Sequence, residues 1–258
     1  MSEAPGAKAK AANANAKTPR RKIEGHARKR IDDRLLLFKA YEEKKRLEDA
    51  QPLDGAPPAE AAPRAFSAMD TMLSGDEARK KLFSEIPRIE GDRVVLDRVV
   101  DADADALRDL NDNPLVQRYL PAYLFEKQFA DAHEAIAQLY GPLFASKESL
   151  ILAIRAKGTG ELAGLAEFYG LRDSLHKVSM GYRLRERWWG HGFATETAQL
   201  MVTYLYGETD IEIIKASTMI ENGASAHVLE KADFIRTERN VEEDWGFPQP
   251  TIVDKWFC

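Results

Sequence analysis

GYRLRERWWGHGFATETAQL, residues 181–200, is the stretch whose reading decides the fold. Its left half closes KVSMGYRLR (177–185), which reads as a central strand, and its right half opens GFATETAQLMVTYLY (192–206), which reads as a helix. Between them stands Arg187-Trp188-Trp189-Gly190-His191-Gly192. Two glycines around one residue allow a tight turn that points successive N–H groups into one concavity. A helix starting at the same place adds unpaired N–H donors and the positive end of its dipole. Together these make an anion cradle suited to a pyrophosphate. The spacing is neither G-x-G-x-x-G nor G-x-x-x-x-G-K-[ST], so dinucleotide and nucleoside-triphosphate readings are weak.

Outward from this segment the pattern is compact α/β. RVVLDRVV (93–100) reads as a strand, ADADALRDLNDN (102–113) as a helix, and FEKQFADAHEAIAQLY (125–140) as an amphipathic helix with Phe129, Ile136, Leu139 and Tyr140 on one side. SLILAIR (149–155) and ELAGLAEFYG (161–170) form a hairpin across the turn KGTGE. Beyond the central helix come a strand at 211–218, a short helix at 224–232 and a final strand pair, 234–240 with 251–257. The order is β-α-α-β-β-β-α-β-α-β-β. That predicts a mixed α+β (α/β) domain over 88–258.

The chain of 258 residues is electrically two-part. Residues 1–31 hold nine Lys/Arg against Glu3 and Glu24, a net +7; the whole is −5, so 32–258 carries −12. Low hydrophobicity and like charge predict a disordered basic tail over 1–27, followed by an accessory helix at 28–50. A linker with four prolines (51–65) and a short helix near 66–85 complete the extension, 51–87. The tail offers phosphate contacts to a polyanion such as ribosomal RNA, though it reads first as a solubilising segment. The one cysteine, Cys258, excludes an intrachain disulfide. No apolar run approaches the roughly 18 residues of a membrane span, and the start lacks a secretory signal's apolar segment. A soluble cytoplasmic protein without membrane partners is expected. His26, His133, His176 and His227 have no partner at metal spacing, so no metal is expected.

Arg187-x-x-Gly190-x-Gly192 resembles the R/Q-x-x-G-x-G/A signature of the GCN5-related N-acetyltransferases (GNAT). The surrounding sequence looks closest to the RimJ/RimL-type branch, which acetylates ribosomal-protein amino termini. Asn222-x-x-Ser225 followed by VLEKADF (228–234) is similar to a second segment of that branch, and 93–120 is similar to its opening strand and helix. Residues 1–87 have no counterpart there.

The resemblance implies a GNAT fold, a central mixed and splayed sheet flanked by helices, with acetyl-CoA as cosubstrate and direct transfer to an amine. It implies that loop amides around Arg187, Trp188, Gly190, His191, Gly192, Phe193 and Ala194 hold the coenzyme A pyrophosphate. A backbone N–H near Val178–Met180, with Met180 the choice within that stretch, polarises the thioester carbonyl. Asn222 and Ser225 contact the cofactor, and Ser225 hydrogen-bonds or protonates the leaving thiolate. Two departures stand out. Leu229 occupies the position where many members carry an acid tyrosine, and Asp233 replaces a glycine that often needs positive φ, which Asp tolerates.

An attacking amine must be neutral; an α-amino group titrates near about 8 and a lysine near about 10.4. Glu167, on the hairpin strand beside the cleft, is the first choice of base. Glu242, Glu243 and Asp244 offer attraction for a cationic acceptor or simply a solvated loop. For each residue a bland reading competes: a strand–helix turn for the glycines, loop packing for Trp188 and Trp189, solvent for His191, a structural bond for Glu167, a helix cap for Ser225. The acceptor implied by the branch is a protein amino terminus. A small amine (polyamine, amino sugar or antibiotic) is the enzymatic alternative, and a non-catalytic CoA-binding module is the rival from another class.

Overall fold

A computed structural model describes residues 79–258. The expectations for the basic tail, the accessory helix and most of the linker lie outside the described residues. Eight strands form one sheet in the order β1-β2-β3-β4-β5-β6-β8-β7. They are β1 (Ile89–Glu90), β2 (Val94–Asp97), β3 (Ser149–Ala156), β4 (Leu162–Arg172), β5 (Lys177–Leu184), β6 (Ile213–Met219), β7 (Ile235–Glu243) and β8 (Thr251–Phe257). The helices are α1 (Ala104–Asp112), α2 (Pro114–Gln117), α3 (Ala132–Leu139), α4 (Pro142–Ala145), α5 (Phe193–Glu208) and α6 (Gly223–Lys231).

β1 to β5 run as an antiparallel meander. β5 and β6 are parallel, which requires a crossover, and α5 supplies it. Strand alternation sorts the side chains into two cores. Leu150, Leu152, Ile154, Phe168 and Val178 pack under α5 and α6 with Ala198, Met201, Leu205 and Leu229. Ile151, Ala153 and Leu165 pack on the other face with Leu107 and Leu110 of α1 and Ile136 and Leu139 of α3. β3 is buried on both faces, which explains why its sequence is nearly all apolar. Each such large apolar side chain contributes about 1.5–3 kcal/mol relative to exposure.

The parallel β5–β6 pairing covers only Lys177↔Ile213, Val178↔Ile214 and Ser179↔Lys215. Beyond it β6 pairs with β8 alone, through Met219, while β5 continues to Leu184. The two strands therefore splay, and the far half of β5 has an open edge. This is the splayed mixed sheet expected from the resemblance.

Several elements differ from expectation. The helix expected over 125–140 is broken: a 3-10 turn spans Phe125–Gln128, Phe129 is extended, and α3 begins only after Asp131. Asp131 caps α3 by accepting from the His133 N–H at 3.0 Å, a local bond that competes with continuing the helix N-terminally. Residues 79–85 are a bridge and turns, not the end of a helix, and Leu82 and Phe83 are buried in the domain core. The strand expected over 93–100 shortens to β2, with β1 added before it. Glu242 and Glu243 lie on β7, not in a loop.

Candidate active site

The glycine loop behaves as its sequence implies. Gly190 and Gly192 take φ of 75° and 78°, in the left-handed region, and Gly192 immediately precedes α5. A Cβ on Gly190 would meet nothing within 4 Å. A Cβ on Gly192 would lie 2.8 Å from Arg93 Nη1.

Arg93 fixes the loop's orientation. Its Nη1 donates to the His191 carbonyl at 2.7 Å, and its Nη2 lies 3.4 Å from the Gly192 carbonyl. Since a trans peptide sets C=O and N–H antiparallel, the N–H groups of Gly192 and Phe193 point away from Arg93. Among the described residues no protein acceptor meets the N–H groups of 190–195, and the first bond to close there is Glu196 N–H to the Gly192 carbonyl. Glu196 anchors Arg93 in turn. Its Oε2 accepts from Arg93 Nε at 2.7 Å, and its Oε1 from the backbone N–H groups of Arg93 (2.7 Å) and Val94 (3.2 Å). Partial burial alone would raise the Glu196 pKa; these hydrogen bonds outweigh it and hold the pKa below the usual value.

The loop's aromatic residues brace it. Trp188 stacks on Phe193 with centroids 5.1 Å apart, and Trp189 Nε1 donates to the Leu184 carbonyl at 2.9 Å. The Trp188 Nε1 is buried without a protein partner. Arg187 bonds Glu161 at 2.9 Å, and His191 is exposed. Trp188 is thus packed into the loop, while Trp189 is tied to β5 by its indole N–H and leaves part of its ring exposed.

The open edge of β5 joins this loop. The His176 carbonyl accepts from Ile213 N–H, so alternation turns the backbone groups of Val178, Met180 and Tyr182 towards β6. Val178 lies inside the ladder, whereas Tyr182 lies wholly beyond its last pair. The side chain of Met180 is core and its N–H is committed to the Lys215 carbonyl, so only its own carbonyl faces the opening. Unpaired amides at 190–195, empty space over Gly190 and a continuous strand edge fit a cofactor with a diphosphate at one end and an amide-bearing arm at the other.

Ser225 and Asn222 sit across this opening, at the start of α6. Asn222, not Ser225, is the cap: its Oδ1 accepts from Ser225 N–H at 3.1 Å. The Ser225 hydroxyl lies 3.1 Å from the Tyr182 hydroxyl. Tyr182 went unnoticed in the sequence, where it looks like one more core aromatic. Burial pushes its pKa well above the ordinary tyrosine value, only partly offset by the Ser225 bond. Asp233 adopts φ 64° as its position demands.

On the opposite face, Glu167 pairs across the ladder with Gly181. Directly opposed residues share a face, so glycine at 181 puts no side chain beside Glu167, and a Cβ there would stand 3.7 Å from the Tyr169 ring. Glu167 Oε1 accepts from Ser149 Oγ at 2.5 Å, and Oε2 lies 3.7 Å from Arg183 Nη1. Burial raises the Glu167 pKa, Arg183 and Ser149 oppose it, and the net shift is upward. Of the acids at 242–244, Glu243 is bound to Lys255 and Trp245, and Asp244 caps a turn at Gly246.

The chain matches the model of the acetyltransferase (GNAT) domain over residues 93–235. An uncharacterized N-acetyltransferase, YoaA of Bacillus subtilis (strain 168), is 28% identical over 148 residues, 57% of this chain and 82% of that protein. Among solved structures, the ribosomal-protein alpha-N-acetyltransferase RimL in complex with coenzyme A superposes with a TM-score of 0.57 at 17% identity, covering 67% of this chain and 97% of that one. The spermidine N-acetyltransferase of Vibrio cholerae in complex with CoA and spermine gives 0.54 at 17% identity, covering 64% and 95%. This chain thus belongs to the GNAT acetyltransferase family, as an N-acetyltransferase whose cosubstrate is acetyl-CoA rather than a bare binding module.

Proposed function

We propose that this N-acetyltransferase acts on protein amino termini, as the RimJ/RimL-type branch does. The observation that carries the reading is a set of exposed aromatic side chains on the Glu167 side of the sheet. Tyr123 and Tyr169 are exposed there, and Tyr123 donates to the Asp244 carbonyl at 3.0 Å. Ala122 N–H bonds to the Trp245 carbonyl at 2.8 Å, which brings the exposed Phe247 alongside. An accessible surface with aromatic faces and few free carboxylates suits an extended peptide better than a small polycation, which calls for several. The −12 body also supplies a general pull on cationic acceptors.

Amides at 190–195 receive the diphosphate, with Arg187, Trp188, His191 and Asn222 as supporting structure. Glu167 takes the proton that the acceptor nitrogen loses as the new N–C bond forms. The C–S bond breaks, and the sulfur leaves as a thiolate that accepts a hydrogen bond and is protonated as Glu167 returns its proton through solvent. Ser225 is the donor facing that sulfur when Tyr182 donates to the Ser225 oxygen and leaves the serine hydrogen free. Tyr182, with its raised pKa, acts as an orienting donor and not as the acid. The register Ser179↔Lys215 commits the Met180 N–H to the Lys215 carbonyl, so the first free β5 donor for the thioester carbonyl is the Tyr182 N–H, two residues beyond the expected Val178–Met180. The basic segment 1–31 supplies the contact to ribosomal RNA or another polyanion.

A thiol-release assay with acetyl-CoA over amino-terminal peptides, lysine side-chain peptides, spermidine and amino sugars tests the acceptor. Turnover is expected on peptides with a free α-amine and should vanish when that amine is blocked. Turnover on spermidine but on no peptide would overturn the assignment in favour of a small amine.

A further inference from the structure

Behind Glu167 lies a buried ion pair that the reaction as proposed does not use. Arg183 of β5 and Glu126 of the 3-10 turn Phe125–Gln128 have side chains only 6% and 1% exposed, against 20% for Glu167. Arg183 Nη2 is bound tightly to Glu126 Oε1, while its Nη1 reaches only to 3.7 Å from Glu167. Glu126 Oε2 and Arg183 Nε are buried with no hydrogen-bond partner. Two carboxylates thus share one guanidinium, and Glu126 holds the greater part of it. Only Glu167, the member left with the looser contact, reaches solvent.

We propose that Glu126 and Arg183 are positioning residues for Glu167: Glu126 draws the guanidinium off, so that one Glu167 oxygen is only loosely engaged and can serve as a base. The inference rests on Glu167 being the base. A carboxylate in full bidentate contact with arginine is a weaker base, with a lone pair of each oxygen already engaged. With the guanidinium held back, Oε1 is fixed by Ser149 and Oε2 keeps only the long 3.7 Å contact to Arg183. The cluster carries net −1 when both acids are ionised, so an arriving ammonium completes its charge balance at the one exposed member. The charged and titratable groups around Glu167 are Arg183 from β5, Glu126 from the 3-10 turn and Tyr169 from β4 itself, with the neutral Ser149 from β3.

The test is the pH profile of kcat/KM on an amino-terminal peptide, for wild type, Glu126→Gln, Glu167→Gln and the double variant Glu126→Gln/Arg183→Gln. The acceptor's own titration is common to all four, so any limb that moves is the enzyme's. Glu126→Gln releases the guanidinium to Glu167, and the acidic limb should fall by about one pH unit. The double variant removes Glu126 and the cation together, and the limb should rise instead, because Arg183 is the stronger influence of the two on Glu167. A structural role alone predicts lower activity with no movement. Loss of the limb in Glu167→Gln with no shift in Glu126→Gln or the double variant overturns this inference and leaves the base standing. Persistence of the limb in Glu167→Gln overturns the base, and the inference with it. Carboxyl-carbon NMR titration of Glu167 reads the same shifts without an acceptor.

Discussion

The glycine loop and the carboxylate cluster stand on opposite faces of the same sheet and are built by opposite means. The loop takes nearly everything it needs from consecutive residues: two glycines at positive φ, the N-terminus of α5, and backbone amides. Its distant supports are Arg93, held by Glu196, and Glu161, which bonds Arg187. The cluster takes one residue from each of four elements, Glu126, Ser149, Glu167 and Arg183, and works through side chains alone. A site made of backbone tolerates change everywhere except where a Cβ or a charge enters it. A site made of scattered side chains is exposed at every member.

The largest effect that separates the two should come from Gly190→Asp. Aspartate tolerates φ near 75°, and a Cβ there meets nothing, so the fold should survive. A carboxylate in the cradle repels the diphosphate and costs hydrogen bonds to a charged group, each about 1.5–3 kcal/mol. Calorimetry with acetyl-CoA should show affinity reduced about 100-fold or more, while the titration of Glu167 on the other face stays as in wild type. Equal affinity would separate the loop from the cofactor.

Ser225→Ala should have a smaller effect. Loss of one donor to a developing thiolate predicts a fall in kcat of about tenfold with little change in the Kd for acetyl-CoA. Because Asn222 provides the cap of α6, thermal stability should hardly move. An unchanged kcat would reduce Ser225 to a packing contact of Tyr182.

The smallest is on the Arg93–Glu196 support of the loop. Glu196 has a folded-state pKa below its ordinary value, so its stabilisation is full above the unfolded carboxylate pKa and is lost as pH falls through the folded one. Glu196→Gln should lower Tm at pH 7 by a few degrees, consistent with about 1–2 kcal/mol. The difference from wild type should start to shrink below about pH 4.3 and close once the pH is below the lowered folded-state value. A gap that persists at low pH would mean that the carboxylate's charge is not what holds Arg93 in place.

The same contrast explains what could be read from the sequence. The strand–loop–helix at 177–206 was legible because its chemistry is local, and the apolar run of β3 was legible because both its faces are buried. The expected 125–140 helix failed where Asp131 offered a competing cap. Leu82 and Phe83 belong to the core, yet nothing in their local pattern separates them from a linker. Glu167 stood out as the one charge in the otherwise apolar run LAGLAEFYG. Arg183 is the equivalent signal in β5, but its partner Glu126 lies 57 residues away, and no spacing announces that pair. The pairing of Tyr182 with Ser225 likewise depends on where α6 docks, which only the folded sheet decides.

The structure of the complex with acetyl-CoA would test the central claim most directly. Diphosphate oxygens should lie about 2.7–3.2 Å from several backbone nitrogens of residues 190–195, with the pantetheine arm along β5 beyond Ser179 and the Arg93–His191 bond intact. A diphosphate bound elsewhere, with those amides still facing solvent, would contradict it.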